Sequence, residues 1–164
     1  MADPSKRALG SATSDLTIDD FICFAVYSAG HAFNRIYKPL LDPLGLTYPQ
    51  YLVMVALWAA DKQTVGALGE KLLLESSTLT PLLKRLEAMG LVQRKRDAED
   101  ERVVRVSLTE KGKALQRNAR QVPDCVSQMT GLSPTELRRL TATITKLRET
   151  LREAEPGSRA CAQA

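Results

Sequence analysis

The residues best suited to covalent chemistry in this chain are three cysteines, Cys23, Cys125 and Cys161, and they stand far apart. No two form a CxxC pair, so neither a zinc knuckle nor a thioredoxin-type dithiol is on offer. A single histidine, His31, excludes a multi-histidine metal site. We therefore expect no metal and no cofactor. What remains is the chemistry of an isolated thiol, whose reactive form is the thiolate. Tyr27 follows Cys23 by four residues, so on a helix the two share a face. The plainer reading is that Cys23 is a small buried hydrophobe. Cys161 lies near the C-terminus and reads as incidental, and His31 as a polar core or interface residue without a ligand role.

Composition bounds what could carry such a thiol. The chain has 164 residues, 44% hydrophobic and 26% charged. That suits one globular domain able to fold without disulfide or metal staples. Sparse cysteine usage suits a reducing cytosol. No apolar run reaches the length of a membrane span, and residues 1–16 are polar with no signal-peptide core. A cytoplasmic location with no membrane partner is expected. Residues 1–16 and 154–164 read as flexible tails flanking a domain over 17–153. The net charge is +4, a bias too mild to identify nucleic acid by itself.

Periodicity supplies the elements. Thr17-Ile-Asp-Asp20 has the form of a capping box opening a helix to about Tyr37, before Pro39, Pro43 and Gly45. Tyr51–Trp58 is continuously apolar, as in a helix buried on most sides. A short helix follows at 64–74. Glu75-Ser-Ser-Thr78 offers capping side chains for the next, which places Pro81 in its first turn and Gly90 just past its end. Leu79, Leu82, Leu83, Leu86 and Met89 make its apolar stripe. Two strands, Leu91–Arg96 and Arg102–Leu108, then flank a polar tip. Thr109 can cap a helix over about 110–121, which Pro123 interrupts or ends. Ser133-Pro-Thr-Glu136 is a second capping box, and Leu137, Leu140, Ile144, Leu147 and Leu151 follow in a heptad-like rhythm.

Helix, helix and a basic hairpin is the order of a winged helix-turn-helix. The fold class expected is mainly α with a small β-hairpin wing over about 49–108. Charge distribution agrees. Residues 81–96 hold five basic residues and one acid, Glu87, a local excess equal to the net charge of the whole chain. Ser77, Thr80, Pro81, Lys84 and Arg85 fall largely on the face opposite the leucine stripe, and the hydroxyls and cations of this face, with Ser76 and Thr78 near the helix N-terminus, suit a DNA major groove. Arg94 and Arg96 are placed to meet phosphate. The alternative is a solvated charged face.

Residues Leu91-Val-Gln-Arg-Lys-Arg-Asp-Ala-Glu-Asp-Glu-Arg102 and Val106-Ser-Leu-Thr-Glu-Lys-Gly112 resemble the wing signature of the MarR family of bacterial transcription regulators. The resemblance implies a homodimer joined through its first and last helices, about 17–38 and 110–153, on a pseudo-palindromic double-stranded DNA operator. Each wing would reach a minor groove, with Arg102 at its tip, since narrow grooves attract guanidinium. Asp97 or Asp100 would orient that arginine by a bidentate pair.

Within the family, Asp20-Phe-Ile-Cys23-Phe-Ala-Val-Tyr27, Tyr37-Lys-Pro-Leu40, Leu46-Thr-Tyr48-Pro-Gln-Tyr51 and residues 72–87 are similar to the organic-hydroperoxide-sensing (OhrR) branch. That resemblance implies a repressor, not an enzyme. Cys23 is its peroxide-sensing thiol, past the first helical turn, and Tyr37 and Tyr48 are hydroxyl donors to it, with Tyr27 alongside. The inducer is an organic hydroperoxide, favoured by Phe21, Phe24 and Phe33. The two-cysteine members of the branch imply an inter-subunit disulfide from Cys23 to Cys125 that releases DNA. Two rivals stay open: a MarR-type regulator responding to a small phenolic or anionic ligand, and a thiol peroxidase. The second lacks any paired acid/base constellation.

Overall fold

The computed structural model describes residues 17–154. The expected tails, and Cys161 with them, lie outside the described residues apart from Ala154. The chain divides into two compact units, residues 1–35 and 36–164.

In the first unit Thr17 Oγ1 donates to Asp20 Oδ2 at 2.7 Å, but the turn it closes is a 3-10 turn over Ile18–Asp20. The first α-helix, α1, spans Ile22–Leu41. It thus starts five residues later than the capping signal suggests and runs past Pro39. Many apolar side chains of this unit face solvent: Ile18, Phe21, Ile22, Val26, Tyr27 and Phe33 are all exposed.

The second unit holds the core. A 3-10 turn (Asp42–Leu44) leads to α2, Tyr48–Ala59, whose start is fixed by the Thr47 N–H donating to Gln50 Oε1 at 2.8 Å. Val53, Met54 and Leu57 on α2 are fully buried, which explains its lack of a polar face. Strand β1 (Gln63–Thr64) and helix α3 (Val65–Leu72) follow, then α4, Ser76–Ala88. Leu68 from α3 and Leu79, Leu83 and Leu86 from α4 complete the same core. Each such leucine contributes roughly 1.5–3 kcal/mol by leaving water.

Two features of α4 differ from the sequence reading. Pro81 is not in the first turn but sixth along the helix, because α4 begins at Ser76 with Glu75 as its N-cap. Its missing N–H leaves the Ser77 carbonyl without the usual partner, a loss that an exposed surface tolerates. The far end is as expected: Gly90 adopts φ 71°, and the N–H groups of Gly90 and Leu91 return to the carbonyls of Glu87 and Leu86.

The sheet has three strands, not two. β2 (Val92–Arg96) pairs with β3 (Val104–Leu108) in register Val92↔Leu108 to Arg96↔Val104, and β1 adds to the other edge of β3. Two residues are too few for any alternation to reveal β1 in sequence. Asp61 locks this edge, accepting from the N–H groups of Lys62 and Leu108 at 2.7 and 2.8 Å. Val106 points into the core and Arg105 out of it, as their alternation requires.

Helix α5 (Glu110–Ala119) is capped by Thr109, whose Oγ1 accepts from the Gly112 N–H at 3.0 Å. Gly112 is forced: a Cβ there would stand 2.0 Å from the carbonyl oxygen of Leu91. Its own carbonyl accepts from Trp58 Nε1 at 2.9 Å, tying α5 to α2. Pro123 begins rather than ends a helix, at the second position of α6 (Val122–Met129). Helix α7 (Pro134–Glu153) opens with the expected Ser133/Glu136 capping box. It buries no residue and leaves Leu140, Ile144 and Leu151 exposed.

Candidate functional site

The basic surface is built by α4 and the β2–β3 wing. Burial of Leu79, Leu83 and Leu86 fixes the rotation of α4 and turns Ser76, Ser77, Thr78, Lys84 and Arg85 into solvent, with Thr80 half-buried beside them. Arg96 and Arg102 are exposed on the wing.

Two wing arginines behave otherwise than the sequence suggests. Arg94, expected to contact phosphate, is half-buried and turned inward. Its Nε and Nη2 donate to Glu87 Oε2 at 2.9 and 2.7 Å, and its backbone N–H donates to Glu87 Oε1 at 2.9 Å. These hydrogen bonds hold the Glu87 carboxyl below its ordinary range. The pair clamps β2 to the last turns of α4. A single acid within a basic run was the available sign that this run carries an internal pair.

Arg102 is not held by either carboxylate proposed to orient it. Asp97 pairs with Arg105, two positions into β3, while accepting from the Glu99 N–H at 2.9 Å. The Glu99 N–H first and Arg105 second depress the Asp97 carboxyl. Asp100 Oδ1 instead accepts from the backbone N–H of Arg102 at 2.9 Å, and Val103 N–H returns to the Asp100 carbonyl at the same distance. Both aspartates therefore shape the wing turn, Asp97 through a pair the sequence reading missed and Asp100 through the backbone. The Arg102 guanidinium stands at the tip unpaired by either.

Cys23, in the first unit, is exposed and occupies the second position of α1. It is thus inside the first helical turn, where free backbone N–H groups favour an anion. The sequence reading put it deeper because it began the helix at Thr17. Tyr27 lies one turn on and is itself stacked edge-on against His31, with centroids 4.4 Å apart.

The second unit holds a separate aromatic cluster. Tyr37 and Tyr48 lie with ring centroids 4.5 Å apart, and Tyr37 and Tyr51 at 6.2 Å. Burial, reinforced by Tyr48 and Tyr51, pushes the Tyr37 phenol up to about 12, and burial raises Tyr48 and Tyr51 too. These phenols therefore keep their protons at neutral pH. Cys125, on α6, is half-buried and lines an open groove with Pro39, Leu40, Pro43, Leu44 and Val122. No group of acidic, histidine or cysteine side chains among the described residues is arranged to hold a metal ion. None of the described helices is long and apolar enough to cross a membrane.

Known proteins are similar to this chain in sequence and fold. Residues 35–118 match the family described as transcriptional regulator SarA/Rot. The chain is 47% identical over 157 residues to the HTH-type transcriptional regulator TtmR of Methylorubrum extorquens (strain PA1), covering 94% of this chain and 80% of that one. It is 42% identical over 138 residues to the organic hydroperoxide resistance transcriptional regulator of Bacillus subtilis (strain 168), covering 84% and 94% respectively. Among solved structures, reduced AbfR bound to DNA superposes with a TM-score of 0.70 at 35% identity, over 80% of this chain and 90% of that chain. Disulfide-formed AbfR superposes with a TM-score of 0.56 at 36% identity, over 80% and 87%. With a family model matching residues 35–118 and identity at this level across most of its length, the chain belongs to the SarA/Rot-type, MarR-like family of winged-helix transcriptional regulators.

Proposed function

We propose that this regulator is an operator-binding homodimer, a repressor that releases DNA when an organic hydroperoxide oxidises Cys23. The observation that carries the reading is the exposed placement of Cys23 in the first turn of α1, one turn before Tyr27. Similarity to a regulator named for organic hydroperoxide resistance supports the inducer class. Tyr37 follows Cys23 by fourteen residues on α1, about 21 Å at 1.5 Å per residue, so the hydroxyl donors that steady the thiolate are Tyr37 and Tyr48 of a second copy, kept protonated by burial.

The thiolate attacks one peroxide oxygen. An S–O bond forms as the O–O bond breaks, sulfur is oxidised, and the alkoxide leaves as the alcohol after taking a proton. The Cys125 thiolate of a second copy then displaces hydroxide from the sulfenic sulfur, giving a disulfide and, with a proton, water. A disulfide requires Cα atoms within about 7 Å, so its formation moves the elements bearing the two cysteines. The related AbfR is known in both a DNA-bound reduced state and a disulfide-formed state, which supports such a cycle here. Dimerisation through α1 and α7 accounts for apolar side chains that a single copy leaves in water.

On DNA, Ser76, Ser77, Thr78, Thr80, Lys84 and Arg85 face the major groove, Arg96 meets phosphate and Arg102 enters the minor groove. Domain use follows: residues 17–38 and 110–153 join the two copies, and about 49–108 read DNA. A second reading, release by a small phenolic or anionic ligand, has one observation in its favour. Val55, Trp58 and Ala59 line an open groove of about 280 Å³ with Arg120 at its rim. Ligand pockets run from about 300 to 1,000 Å³ and enclose their ligand, so the thiol reading is preferred.

The test is electrophoretic mobility of an operator complex treated with cumene hydroperoxide. Cys23→Ser should stay bound at peroxide concentrations that free the unmodified protein; a serine variant that still releases DNA refutes the thiol. Non-reducing gels address the second step. Oxidised Cys125→Ser should lack the inter-subunit band, and persistence of that band removes Cys125 from the cycle.

A further inference from the structure

We infer that His31 is a positioning residue for the thiol site: its ring holds Tyr27 in the rotamer that lies back over Cys23, and so sets the rate of Cys23 oxidation. The inference rests on the proposed role of Cys23. Residues 23, 27 and 31 succeed one another at four-residue spacing along α1. Long side chains on a helix lean toward its N-terminus and cover the preceding turn. By that rule the His31 ring leans onto Tyr27, and the two rings do meet, centroids 4.4 Å apart at an interplanar angle of 72°. The same rule directs the Tyr27 ring onto the turn of Cys23, where its hydroxyl can donate to the sulfur and then to the departing alkoxide.

Tyr27 needs such a buttress. It is 64% exposed within one copy, so packing inside that copy, apart from His31, gives it little preference among rotamers. An edge-on aromatic neighbour supplies that preference, and pairs of this kind shift a two-state equilibrium by about two- to twelvefold. His31 was assigned no role from sequence, and the shared helix face gives it one that needs neither a metal nor proton transfer.

The experiment measures the second-order rate of Cys23 oxidation by cumene hydroperoxide in the full chain. Samples are quenched with an alkylating agent and the Cys23 peptide is quantified by mass spectrometry. His31→Leu should react about two- to twelvefold more slowly, and His31→Phe, which restores an aromatic edge, should recover most of the loss. In a Tyr27→Leu background, His31→Leu should have no further effect, because the cycle isolates coupling between the two rings. An unchanged rate in His31→Leu overturns the inference, as does an equal loss in the Tyr27→Leu background. Failure of the parent reading looks different: there Cys23 itself does not react, or Cys23→Ser still releases DNA on peroxide.

Discussion

Replacing Gly112 by alanine decides between two opposed effects. Removing a glycine from a helix ordinarily stabilises by up to about 1 kcal/mol. At this site the new methyl would stand 2.0 Å from the Leu91 carbonyl oxygen and 3.3 Å from Leu108 Cδ2. The first neighbour is backbone and cannot step aside by changing rotamer. It is also held in place, accepting from the Thr109 N–H at 3.1 Å. Relief therefore requires α5 to back away from the β2 end, which lengthens the bond from Trp58 Nε1 to the Gly112 carbonyl. Overpacking costs about 1–3 kcal/mol and the half-buried hydrogen bond about 1 kcal/mol. Against a propensity gain of about 1 kcal/mol, the net is a destabilisation of about 1–3 kcal/mol. Urea unfolding followed by circular dichroism, at one fixed protein concentration, measures it as a lower midpoint with an unchanged slope. Gly66→Ala is the control, since its nearest neighbour lies 4.0 Å away; it should fall within about 1 kcal/mol of the parent. If Gly112→Ala proves as stable as the parent, the close packing of α5 on Leu91 is wrong.

The Glu87–Arg94 clamp gives a pH prediction. The Glu87 carboxyl is held below its ordinary value, so its stabilisation is complete above the ordinary glutamate range and is lost as pH falls through the depressed value. Glu87→Gln should therefore be less stable than the parent near neutrality, by about 0.5–1 kcal/mol given the partial exposure of both side chains. The difference should vanish in acid, and a gap that persists there would show that charge pairing is not its source. Ser133→Ala should lower the thermal midpoint by an amount equivalent to about 1 kcal/mol through loss of the α7 cap; an unchanged midpoint would mean the cap is frayed in solution. Arg102→Ala should weaken operator binding and flatten the log-log dependence on salt by about one unit, and titrations that overlay the parent would remove Arg102 from the interface.

Much of the fold was legible because its signals are local and repeated. The leucine stripe of α4, Gly90 at its end, the β3 alternation and the Ser133/Glu136 box each agree with their neighbours. The misreadings share a cause. Pro81 and Pro39 are stop signals only where the helix has no other support, and both helices continue because an exposed carbonyl can do without its partner. Strand β1 is too short for a period. Around the site, residue types were readable and partners were not. Arg94 and Arg102 look alike in sequence, yet one faces Glu87 across the α4–β2 turn and the other faces solvent. The displacement of Asp97 onto Arg105 depends on strand register, which sets those side chains on one side of the sheet only after β2 and β3 have paired. Raising of the Tyr37 phenol arises from burial beside Tyr48 and Tyr51, a property of packing that no spacing encodes.

The carboxylate–guanidinium clamp between α4 and β2 has a consequence for target choice. A reader whose helix and hairpin were hinged could follow small changes in duplex geometry by flexing between them. Here the two are tied by three hydrogen bonds, so in the proposed dimer each copy would meet its half-site with helix and hairpin in one relative orientation. One base pair inserted between half-sites turns one of them by about a tenth of a revolution, and neither contact can compensate for the other. On the proposed operator such a reader would tolerate little change in spacer length, and its genomic targets should share one spacer even where their bases vary.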